Sequence, residues 1–183
     1  MARSGDVIEH PVTGEKIIFR QTATETGGER MEADLIVQPN GFAAAEHVHP
    51  LQDEYFVVMT GGIRLRLDGK ERDLRAGDRA TVPAGAPHVW WNPSDAEARV
   101  QVELRPALDT ESFFETFFGL AQRGKVNQKS GLPNPLVLAL VMREFKDEIV
   151  LARPPVPVQR VLFGALGAVG RLFGYRGRYS YPR

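Results

Sequence analysis

The spacing of glycine, proline and histidine between residues 41 and 92 limits this chain more than any other feature. Glycines at 41, 61, 77 and 85 and prolines at 50, 83 and 87 cut the stretch into short segments. Punctuation this dense suits strands joined by tight turns and leaves no room for a helix of ordinary length. Polarity inside the segments alternates with period two, as where Ile63, Leu65 and Leu67 enclose Arg64 and Arg66. The same stretch holds three of the four histidines. His47 and His49 stand two apart, so on a strand they project from one face. Glu54 follows after the break at Pro50, and His88 opens a later strand. Two imidazoles from one strand, a carboxylate from the next and a third imidazole from another hairpin can converge on one divalent ion.

The alternation extends on both sides. Strands are expected over 7–9, 16–19, 30–38, 42–49, 53–59, 63–67, 71–74, 79–82 and 98–104, with Asp68-Gly69 as a hairpin turn. If Glu54 points inward, so do Phe56 and Val58. In the last strand either Gln101 and Glu103 or Val102 and Leu104 face the interior, and the pattern alone leaves both open. Phe56, Met59, Trp90 and Gln101 are the candidate pocket residues; for Phe56 and Val58 ordinary core packing is the preferred reading. His10 lies outside the punctuated stretch and is expected at the surface. Beyond Pro106 the period lengthens toward 3.6. Helices are expected over 110–123 with Asp109 as N-cap, over 136–149 after the Asn134-Pro135 start signal, and over 158–175. The division is a β domain at 1–106 and a helical extension at 107–183.

Composition excludes several functions. With no cysteine, thiolate catalysis, thiolate metal sites and disulfides are ruled out, so a metal must be held by nitrogen and oxygen. Net charge is zero, and nothing global points to nucleic acid. The charge is uneven, however. From Ile149 onward there are six arginines and no acidic residue, which leaves the first 148 residues with 17 basic and 23 acidic side chains, a balance of −6. The longest uncharged apolar run there, 161–170, is ten residues, about half what a bilayer crossing needs. The segment 158–175 is therefore expected to pack against the barrel or across a homodimer, with peripheral contact to a membrane surface as the alternative. Residues 1–6 lead into no apolar run, so no signal peptide is expected and the cytoplasm is the default location.

The punctuated stretch also resembles a known family. Gly41, His47, His49, Glu54 and Gly61 match the cupin motif G-x5-H-x-H-x4-E-x6-G, and Gly77, Pro83, Gly85, His88 and Asn92 match its second motif, G-x5-P-x-G-x2-H-x3-N. The resemblance implies a mainly β fold, a jelly-roll barrel followed here by two or three C-terminal helices. It also implies that His47, His49, Glu54 and His88 bind one divalent transition metal: Fe, Mn, Ni, Cu, Co or Zn. Gly41, Gly61, Gly77, Pro83, Gly85 and Asn92 are read as structural. The leading expectation is a mononuclear metal-dependent enzyme acting on a small organic molecule, dioxygenase-like. The alternatives are an isomerase or lyase of the same fold, or a module that binds a small ligand without chemistry.

Overall fold

A computed structural model describes residues 2–182, and the alternating segments become two antiparallel sheets. One sheet has the order β1 (Val7–His10), β2 (Glu15–Gln21), β3 (Met31–Val37), β10 (Ala98–Arg105), β5 (Asp53–Thr60), β8 (Arg79–Val82). The other has the order β11 (Val150–Leu151), β4 (His47–Val48), β9 (His88–Trp91), β6 (Gly62–Leu67), β7 (Lys70–Arg75). Neighbours that are distant in sequence, such as β3 with β10 and β4 with β9, make this a jelly-roll sandwich rather than a meander. Three helices follow: α1 (Thr110–Gln122), α2 (Pro135–Glu144) and α3 (Val156–Leu172).

The core lies between the sheets, where the apolar half of each strand points. Ile17 and Phe19, Met31 and Leu35, Phe56 and Val58, and Val100 and Leu104 are all buried. Arg64 and Arg66 face outward as expected, and Arg64 bonds Asp73 on the adjacent strand at 2.6 Å. Motif residues hold the turns. A Cβ on Gly41 would lie 2.8 Å from Val37 and 2.9 Å from the Gln38 carbonyl, so the backbones meet only because no side chain intervenes. Gly61 combines φ +68° with a Cβ position 2.6 Å from the Glu97 carbonyl, which no L-residue fits. Buried Asn92 donates to the carbonyls of Val37, Gln38 and Ala96 and accepts from Ser94, tying three segments together.

The helical segment departs from expectation in several places. Asp109 does not cap α1 with its side chain; its carboxylate pairs instead with Arg178 from the C-terminal tail at 2.6 Å. Asn134 does cap α2, accepting from the N–H groups of Leu136 and Val137. That helix stops at Glu144, five residues early, because the chain turns to form β11, a strand not foreseen. β11 pairs with β4, Leu151 opposite His47, so residues from the helical half extend a barrel sheet. α3 packs on α2 and reaches β11, where Gln159 donates to the Leu151 carbonyl at 2.6 Å; glycines permit the approach to α2, since a Cβ at Gly170 would lie 3.1 Å from the Leu136 carbonyl. His10 is fully buried, not exposed, because α1 covers it with Phe117 and Phe118, each ring 5.4 Å from the imidazole. No helix among the described residues is long and apolar enough to cross a membrane.

Candidate metal centre

Strand pairing assembles the cluster. His47 lies directly opposite His88 in the β4–β9 pair, His49 follows one residue past β4, and Glu54 comes from β5 in the other sheet. One nitrogen or oxygen from each of the four lies within 4.8 Å of the other three. The imidazole centroids are 4.3 Å apart for His47 and His88, 5.0 Å for His47 and His49, and 5.3 Å for His49 and His88.

Backbone carbonyls set the tautomer of every ring. The Nδ1 atoms of His47, His49 and His88 face the carbonyls of Ala45 at 2.9 Å, Glu148 at 2.7 Å and Ala86 at 3.2 Å. A carbonyl only accepts, so each Nδ1 carries the proton and each Nε2 is left with a lone pair. Those lone pairs converge on Glu54, whose Oε2 is 2.9 Å from His88 Nε2 and 3.6 Å from His49 Nε2. Nε2 of His49 and His88 and Oε2 of Glu54 are buried and have no hydrogen-bond partner among the described residues. Buried acceptors this close repel one another unless a positive charge lies between them. A divalent cation bound by three imidazole nitrogens and one carboxylate oxygen satisfies all of them, and the donor set suits a transition metal.

The electrostatics agree. Burial alone would raise the pKa of Glu54, but the His49 and His88 imidazoles outweigh it and hold the carboxyl far below its ordinary range. Burial lowers His88, and the adjoining Glu54 carboxylate more than offsets this, so its pKa is raised. Burial, reinforced by His88 and His49, holds His47 well below the usual imidazole value. A proton on His88 Nε2 and a metal ion would compete for the same lone pair beside Glu54.

The cluster opens, through His47, His49 and Glu54, into a cavity lined mostly by apolar side chains. Trp90, expected in the pocket, is on its wall. The other three candidates are not. Phe56 points inward but is consumed by the core, at 1% exposure. Met59 falls where β5 leaves the sheet interior and is 50% exposed. Gln101 is on the outer face of β10, bonded to Glu32 at 2.6 Å; its neighbour Val102 faces the cavity. The remaining wall is shared between barrel residues such as Ile17, Met31 and Leu35 and the helical half, which supplies four phenylalanines of α1 (Phe113, Phe114, Phe117, Phe118) with Leu138 and Met142 of α2. The sequence signal for these was the wide apolar face of α1, whose destination no pattern could show. Glu15 is a further wall residue without any such signal.

The cupin domain family matches residues 33–104. The chain is also 33% identical over 122 residues to Protein SchB of Streptomyces halstedii, a match covering 62% of this chain and 81% of that one. The chain belongs to the cupin family. This cupin is 38% identical over 83 residues to quercetin 2,3-dioxygenase of Bacillus subtilis, covering 42% of this chain but only 25% of the dioxygenase's length. Among solved structures, an RmlC-like cupin from Shewanella frigidimarina superposes with a TM-score of 0.51 at 18% identity, covering 61% of this chain and 92% of that one. At that identity the likeness concerns the fold.

Proposed function

We propose that this cupin is a mononuclear metal-dependent oxygenase acting on a small, largely apolar organic molecule. The observation that carries the reading is the set of three Nε2 lone pairs and one carboxylate oxygen directed at one point on the wall of an apolar cavity. His47, His49, Glu54 and His88 would hold the metal, which would supply Lewis acidity and, if redox-active, one-electron chemistry with dioxygen. The protein's own part is threefold. The backbone carbonyls of Ala45, Ala86 and Glu148 fix the imidazole tautomers. The α1 phenylalanines and Trp90 exclude water from the reacting region and favour a planar, ring-containing substrate. A metal held by these four side chains would have room for a substrate oxygen as well. The choice of oxygen chemistry draws support from the match to a relative named as a dioxygenase.

The test begins with elemental analysis of tag-free protein and of the His47→Ala variant. About one equivalent of metal, lost in the variant, is expected. Oxygen uptake is then followed with quercetin after loading with Fe, Mn, Co, Ni or Cu in turn. Stoichiometric metal with no oxygen uptake in any form would sink the oxygenase reading and leave non-redox chemistry or ligand binding at the same centre.

A further inference from the structure

Apart from the cluster residues and the indole of Trp90, Glu15 is the only polar side chain on the cavity wall among the described residues. It begins β2, in the row that continues inward through Ile17 and Phe19, where the strand pattern calls for an apolar residue. The residue is 8% exposed. One carboxylate oxygen accepts from Thr13 Oγ1 at 2.5 Å; among the described residues no other hydrogen bond and no cation engages the group. His10, opposite it on β1, is not a counter-ion. Its Nδ1 accepts from the Thr13 N–H at 3.1 Å, its Nε2 faces the Gly131 carbonyl at 3.3 Å, and burial lowers its pKa to about 4, so the ring is neutral. Burial pushes the Glu15 carboxyl up to about 7, which Thr13 only partly opposes. A carboxyl group kept in an apolar wall with one partner is costly to stability and retains unused capacity for hydrogen bonding.

We propose that Glu15 is a second ligand-anchoring group of the cavity, accepting a hydrogen bond from a hydroxyl on a neutral, ring-containing molecule. Thr13 holds the carboxylate in place, and the apolar walls between Glu15 and the histidine cluster take the rings. The proposal rests on reading this cavity as the substrate pocket, and it names the substrate class: an aromatic alcohol or phenol rather than an acid, which Glu15 repels.

The experiment compares naphthalene with 2-naphthol by calorimetric titration at pH 8, in zinc-loaded and in chelator-treated protein. The pair differs by one hydroxyl. Wild-type protein is expected to bind 2-naphthol about tenfold or more tightly in both forms. Glu15→Leu should erase the gap while leaving naphthalene affinity within about threefold, and Glu15→Gln, which keeps an acceptor and the shape, should retain part of it. Equal affinities in the wild type, absence of binding, or a gap that survives in Glu15→Leu would overturn the proposal. A gap that disappears on chelation and survives Glu15→Leu would send the hydroxyl to the metal, overturning the subsite while leaving the metal centre standing. The gap with no stoichiometric metal would do the reverse.

Discussion

Glu15 and His10 face each other across the β1–β2 pair with opposite errors of protonation, and their removal should uncover two hidden pH dependences. Glu15 titrates near 7 in the folded chain against an ordinary 4.5. Between those values the folded state binds the extra proton, so stability falls as pH rises. At about 1.4 kcal/mol per pH unit the fall amounts to about 3 kcal/mol, complete above pH 7. His10 titrates near 4 against an ordinary 6.5. There the unfolded state binds the extra proton, so stability rises with pH over that interval, again by about 3 kcal/mol. The two contributions cancel from about pH 4.5 to 6.5, where the pair leaves no slope. Urea unfolding at half-unit intervals from pH 4 to 8, on protein kept free of metal by chelation, measures this. Relative to wild type, Glu15→Gln should gain about 3 kcal/mol of stability between pH 4.5 and 7, and His10→Phe should lose about that much from pH 4 to 6.5. Subtracting the wild-type curve removes the contributions of Glu54 and the metal-site imidazoles. A Glu15→Gln difference that is constant across the range would refute the argument, because it would mean that Glu15 titrates alike in folded and unfolded chains.

Asn92→Ala removes one donor from each of three carbonyls, of which that of Gln38 keeps the Gly41 N–H and that of Ala96 keeps the Ser94 hydroxyl, and should cost about 2 kcal/mol by denaturant titration with little change in metal content. Gly170→Leu forces a side chain against the Leu136 carbonyl and should separate α3 from α2, visible as faster amide exchange in α3 while the barrel strands stay protected. The Glu148 side chain accepts from the Asp109 N–H at 3.1 Å, and its own carbonyl accepts from His49. Glu148→Ala loosens that carbonyl and should weaken metal binding by about tenfold in a chelator competition; unchanged affinity would mean that β11 alone holds it in place.

The local content of the fold was legible from residue order. Alternation named the strands, Asn134-Pro135 named the start of α2, and the spacing of His47, His49, Glu54 and His88 named a cluster, because strand geometry turns spacing directly into direction. What tertiary structure decided was which face meets what. Gln101 and Val102 are adjacent on one strand and equally plausible toward the interior; the pairing of β10 with β3 and β5 turns Val102 inward and leaves Gln101 to Glu32. Phe56 and Trp90 both point inward, yet only Trp90 borders empty space, since a cavity is whatever packing fails to fill. His10 reads as a surface residue until α1 folds over it. The contribution of residues 107–183 is the largest of these. No local pattern announces that Glu148 will fix the tautomer of a histidine 99 positions earlier, or that four phenylalanines of a helix will wall a cavity begun by strands. Sequence determined the direction of each side chain from its own backbone; only the packing of elements distant along the chain determined what lay there to be met.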